Sequence, residues 1–191
     1  MRKAWKIVDD YRVMLHTPPN GNHGAHEESP TRRSPRMENV YKINIDATSP
    51  DYDKWRTGTI IGDSYGVFLV AATWKVSTLT DATIAKALGT RISLHFGLDL
   101  SFWNMNFEGN SLNVIKAIRN SNQDQSYFGL IIVDCYNLLA LFSSYTINHV
   151  KRSANVSTHI LVKFVLNTHE SIWIEECPGI SHSISTDLVA Y

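Results

Sequence analysis

The chain has no surplus of either charge: 18 Lys and Arg are matched by 18 Asp and Glu, and only 19% of its 191 residues are charged. This excludes a broad electrostatic attraction to nucleic acid over the whole surface and leaves room only for a local basic patch. Cysteine is scarce as well. Cys135 and Cys177 form no metal-ligand spacing and no disulfide framework, and a reducing compartment fits them best. Long apolar runs are missing. Met1 to Leu15 carries Arg2, Lys3, Lys6, Asp9, Asp10 and Arg12, so it lacks the continuous apolar core of a secretion signal. The most apolar stretch, Gly129 to Phe142, is broken by Asp134 and Asn137 and is too short to span a bilayer. A buried helix is expected there. No membrane association is expected, and nucleus or cytoplasm is the expected location. There is no Ser-His-Asp or Cys-His arrangement and no glycine-rich loop to cradle a phosphate.

What the chain does have is a hydrophobic fraction of 43%, with 5 Trp, 8 Tyr and 7 Phe. That is enough for a sizeable core in one domain of ordinary size. Thr17 to Arg36 holds Pro18, Pro19, Pro30, Pro35, Gly21 and Gly24 among polar residues and has no apolar periodicity. It reads as a linker, with His23 and His26 as solvated histidines and Arg32, Arg33 and Arg36 as a solvated basic cluster. The expected organisation is a flexible N-terminal segment over 1–37, a folded domain over 38–169 and a C-terminal tail over 170–191.

Within the domain, Tyr41, Ile43 and Ile45 alternate with Lys42, Asn44 and Asp46, the pattern of a strand with one polar face. Thr57 to Ile61 and Val67 to Trp74 form a hairpin around Gly62-Asp63-Ser64-Tyr65-Gly66. Thr80 and Asp81 offer a cap for a helix that runs to about Phe96, and Gly97 is placed to stop it. Trp103, Met105 and Phe107 mark a fourth strand. Ser111 caps a short helix, Leu112 to Arg119; a further helix spans Tyr127 to Phe142. Tyr145, Ile147 and His149 mark a fifth strand, and a last helix covers about Val156 to Asn167. The order βββ-α-β-α-α-β-α predicts an α/β fold with a mixed five-stranded sheet, the fourth strand parallel to the first through a right-handed crossover.

Several motifs in this order resemble the plant ribonuclease H-like domains of retrotransposon reverse transcriptases and of host proteins derived from them. Lys42-Ile43-Asn44-Ile45-Asp46-Ala47 resembles the opening K-x-N-x-D-A. Ile60 to Gly66 is similar to I-x-R-D-x-x-G, and Ala85-Lys86-Ala87 falls at A-E-A. Phe107 to Ser111 falls at V-E-x-D-S, and His149 to Asn155 resembles H-V-x-R-x-x-N. Pro178-Gly179-Ile180, with Asp187, is similar to the family's ending.

The resemblance implies a site of four carboxylates that hold two Mg²⁺ ions for in-line cleavage of the RNA strand of an RNA–DNA hybrid. Here Asp46 stands at the first position, Lys86 at the second, Asn110 at the third and His159 at the last. Lys86 is expected to pair with Asp46 in place of a metal. Asp46 and Glu108 are the two acids that would hold Mg²⁺ or Mn²⁺ in an active enzyme; otherwise no cofactor is expected. Lys151, Arg152 and Asn155 are implied as phosphate contacts, and Ser111 reads as a helix cap. The expected function is a ribonuclease H-like nucleic-acid-binding protein, catalytically impaired, whose partner is an RNA–DNA hybrid or another nucleic acid. The alternatives are an active metal-dependent hybrid ribonuclease working through Asp46 and Glu108, and a non-enzymatic scaffold or vestigial protein.

Overall fold

The structure, a computed structural model, describes residues 40–49, 54–76, 81–120, 125–164 and 171–175. The linker with its histidines, Cys177 and the family-like ending at Pro178 to Asp187 lie outside the described residues. The elements follow as β1 (Tyr41–Thr48), β2 (Trp55–Gly62), β3 (Phe68–Val76), α1 (Ala82–Asp99), β4 (Asn104–Gly109), α2 (Leu112–Arg119), α3 (Tyr127–Leu139), β5 (Ser144–His149), α4 (Val156–Phe164) and β6 (Ser171–Ile174).

One sheet contains all six strands in the order β5-β4-β1-β2-β3-β6. β1, β2 and β3 form the expected antiparallel meander, and β4 lies parallel to β1 across the α1 crossover. β5 then adds parallel to β4. The mixed α/β sheet is therefore as read from the sequence, with one strand more. Ser171–Ile174, assigned above to a tail, pairs antiparallel with β3 as the sixth strand.

The main core lies between the sheet and helices α1 to α3, where Ile43, Ile45 and Ile61 meet Leu94, Phe107 and Ile131. α4 covers the opposite face over a smaller cluster of Ile60, Ala71 and Leu161. The central strand β1 is thus buried on both sides, as strands of α/β sheets commonly are. Its polar face does not meet solvent: Asn44 is 1% exposed and Asp46 2%.

α1 begins where Asp81 accepts hydrogen bonds from the Thr83 and Ile84 backbone N–H groups at 2.7 and 3.2 Å. It does not stop at Gly97. The helix continues to Asp99, and Gly97 is buried beside Met105 and Phe142, with room for a Cβ at ordinary contact distance. The left-handed residue is Ser101, with φ 59°. Ser101 N–H donates to Leu98 O and Phe102 N–H to Gly97 O, the paired bonds of a Schellman ending. α3 starts at a Ser126 cap and ends at Leu139, and it is buried on one side only, with Leu130 and Tyr136 exposed. No described helix is long and apolar enough to cross a membrane.

Candidate functional site

The parallel strands β1, β4 and β5 end at the same side of the sheet, the usual place for ligand sites in sheets of this kind. Ile45 pairs with Gly109, so the next residues along, Asp46 and Asn110, come side by side. Two close approaches bring helices to them. Gly89 of α1 lies against Thr57 and Ala47, and a Cβ there would collide with Thr57 Oγ1. That contact seats α1 on the sheet three residues after Lys86. Thr57 Oγ1 in turn donates to Asp46 O at 3.0 Å. On the other face Gly58, paired with Asp46, lets α4 descend until Val162 covers it. Asn155 anchors the start of α4, its amide donating to Ile45 O at 2.9 Å.

These contacts assemble a chain of hydrogen bonds. Asn110 Nδ2 donates to Asp46 Oδ1 at 2.9 Å, and the Ala47 N–H donates to the same oxygen at 2.8 Å. His159 Nδ1 donates to Asp46 Oδ2 at 2.9 Å. Lys86 Nζ donates to Asn110 Oδ1 at 3.1 Å. The direct ion pair expected between Lys86 and Asp46 is thus replaced by a bridge through the Asn110 amide. The Asp46 side chain is 0% exposed and that of His159 15%.

Glu108 lies on the same face of the sheet as Asp46, but two residues back along the strands. It pairs with Asn44 in register, accepts from Asn44 Nδ2 at 3.2 Å and forms an ion pair with Lys42 at 3.1 Å. Its carboxylate is occupied there. Asn155 is 0% exposed, whereas Lys151 and Arg152 are exposed beside it. Ser111 occupies the cap position of α2, without a side-chain cap bond.

Within this geometry a family model described as "Reverse transcriptase-like" matches residues 44–165. The chain belongs to the reverse transcriptase-like family. The folds of solved ribonucleases H agree. RNase H1 of Halobacterium salinarum NRC-1 is similar at TM-score 0.61 and 18% identity, over 67% of this chain and 98% of that one. The N-terminal RNase H domain of Rv2228c from Mycobacterium tuberculosis, solved as a maltose-binding-protein fusion, is similar at TM-score 0.59 and 15% identity, over 67% of this chain and 94% of that one. LC11-RNase H1, a compost metagenome protein solved in complex with an RNA/DNA hybrid, gives TM-score 0.57 and 14% identity over 65% and 94% of the two chains. At these identities the likeness carries the ribonuclease H-like fold. No curated protein matches the sequence.

A member of the reverse transcriptase-like family with this fold would hold divalent metal ions through clustered carboxylates. The donor set here is one carboxylate, one amide, one imidazole and one ammonium. Among the described residues no group of three His, Cys, Asp or Glu converges on a common point. Hard dications favour several anionic oxygens, and both oxygens of Asp46 already accept from protein donors. These residues do not fit a two-metal centre. The residues that sequence reasoning missed are those that position the site: Thr57, Gly58 and Gly89, whose small size reads as strand and helix filler. Lys42 was also missed as the partner of Glu108, because the alternation marks a polar face without saying what that face meets.

Proposed function

We propose that this reverse transcriptase-like protein is a catalytically impaired, ribonuclease H-like nucleic-acid-binding domain. One observation carries the reading. Asp46, the only acid at the four family positions, has both carboxylate oxygens engaged by Asn110 and His159, and an ammonium joins the network through Asn110. Each oxygen that would bind metal already accepts from a protein donor, Oδ1 from two and Oδ2 from one. Nucleic acid as the partner is supported by the fold shared with LC11-RNase H1, which was solved with an RNA/DNA hybrid. It is supported too by Lys151 and Arg152, exposed at the end of β5. Phosphate contacts suit such a partner, because double-helical hybrids are gripped mainly through backbone and 2′-hydroxyls. The order of motifs from Lys42-Ile43-Asn44-Ile45-Asp46-Ala47 to His149-Val150-Lys151-Arg152 favours an origin in a plant-type retrotransposon.

The test is cleavage of a labelled RNA–DNA hybrid in Mg²⁺ and in Mn²⁺, with Asp46→Asn as control. No cleavage by folded protein is the expected result. Cleavage that the Asp46→Asn protein loses would establish an active nuclease instead and overturn the reading.

A further inference from the structure

We propose that the cleft where β1 and β4 end is a metal-independent phosphodiester-binding site, with the Lys86 ammonium supplying the positive charge. This rests on the nucleic-acid reading above and assigns the site a working principle of its own.

The argument is one of charge. Four carboxylates with two dications sum to zero. Asp46 and Lys86 also sum to zero, with no ion added. The electrostatic balance that a metal pair would provide is therefore built from side chains, and a dication entering the cleft would meet a resident cation with no anionic ligand to spare. The Asn110 amide makes this arrangement stable. It accepts from Lys86 at 3.1 Å and donates to Asp46 at 2.9 Å, so the two charges are linked but not in contact. Among the described residues the ammonium has this neutral amide as its hydrogen-bond partner. Two of its three N–H groups remain for a ligand.

The surroundings select the ligand. The cleft is lined by polar residues, among them Asp46, Lys86, Thr90 and Asn110, and by apolar ones such as Ile45 and Val114. Thr90 Oγ1 donates to Lys86 O and the Asn110 amide to Asp46, so the Lys86 ammonium is the charged donor left to face a ligand. Its rim continues to β5, because Val150 N–H donates to Gly109 O at 3.1 Å and Lys151 and Arg152 follow directly. One cation in a cleft with two more on the adjacent exposed turn matches anions repeated along a backbone better than a single small anion. With a formal net charge of zero, binding depends on these few side chains and not on a general field.

The experiment is fluorescence anisotropy of a labelled RNA–DNA hybrid with the full chain, in EDTA and in Mg²⁺ at matched ionic strength. Equal binding in the two buffers is expected. Lys86→Met should weaken it about tenfold or more, the size of one lost charge-assisted hydrogen bond. It should also lower the slope of affinity against salt by about one. Lys86→Arg should keep most of the affinity, and circular dichroism should report the same fold for both variants. Wild-type binding that Lys86→Met leaves unchanged overturns the Lys86 site and leaves the nucleic-acid reading standing. Binding lost in EDTA also overturns it, since a metal would then carry the charge. No binding of any hybrid or duplex in either buffer overturns the nucleic-acid reading itself.

Discussion

Gly58 of β2 lies directly beneath Val162 of α4, so close that a Cβ on the glycine would collide with the Val162 Cγ2 methyl. The same glycine pairs with Asp46 across the sheet. One missing side chain therefore sets how far α4 descends and whether His159 reaches the carboxylate. Gly58→Ala should cost about 1–3 kcal/mol of stability, the usual penalty for overpacking. Urea denaturation measures it. An unchanged midpoint would mean that α4 does not depend on this contact.

His159 holds one oxygen of a fully buried carboxylate. Replacing it with Ala leaves Asp46 Oδ2 without that partner, which should cost about 1–3 kcal/mol. Asp46→Asn combined with His159→Ala should cost less than the two single changes added, because they remove the same bond. Additive losses in a double-mutant cycle would show that the pair is not coupled.

Restoring the acids should restore a metal site. The triple change Lys86→Glu, Asn110→Asp and His159→Asp places carboxylates at all four family positions. Thermal melting of that protein should rise with added Mn²⁺, by as much as about 2.7 kcal/mol of stabilisation at a hundredfold excess over Kd. The unaltered protein should show no such rise, nor any loss on treatment with EDTA. A Mn²⁺-dependent rise in the unaltered protein would contradict the charge argument for Lys86.

Cys135 gives a pH test. It is fully buried, and burial pushes its thiol up from 9.0 to about 12. The folded state thus favours the neutral thiol more than the unfolded state does. Its contribution to stability is complete below pH 9.0 and is lost as pH rises toward about 12. Urea midpoints should fall over that window, and Cys135→Ala should fall less. Alkylation at neutral pH should be slow until the protein is unfolded.

Ser101 sits in the left-handed region at the end of α1, with φ 59°. Glycine enters that region without the steric cost that a Cβ brings. Ser101→Gly should stabilise the protein by about 0.5–1 kcal/mol after the added chain entropy is offset. Differential scanning calorimetry would register this as a higher Tm; a lower one would mean that the serine makes a contact outweighing its strain.

Much of the fold was legible because period-2 and helical patterns are strong where one face is apolar. Tyr41-x-Ile43-x-Ile45 marked β1, and Asp81 marked the start of α1. The errors have physical causes. Gly97 resembles a stop signal, but the left-handed turn that ends the helix falls four residues later, at Ser101, a residue type that does not advertise it. Ser171–Ile174 is four residues long, too short to show a period, and its pairing with β3 is purely long-range. At the site, motif order located Asp46, Lys86, Asn110 and His159 together. It did not show that Asn110 would bridge the two charges, since that depends on side-chain distances. Nor did it place Asn155, buried against Ile45 O, or Glu108, bound to Lys42.

The sixth strand also bears on where this domain ends. The family match stops at residue 165, yet β6 continues the sheet to Ile174. A protein cut at the family boundary would leave Val70 to Thr73 of β3 without the backbone partners that β6 provides. It would also strip Trp173 from the small cluster beneath α4. Such an open, apolar strand edge recruits strands from other chains. A shortened version would therefore tend to self-associate, and a loss of binding measured on it would report aggregation before chemistry.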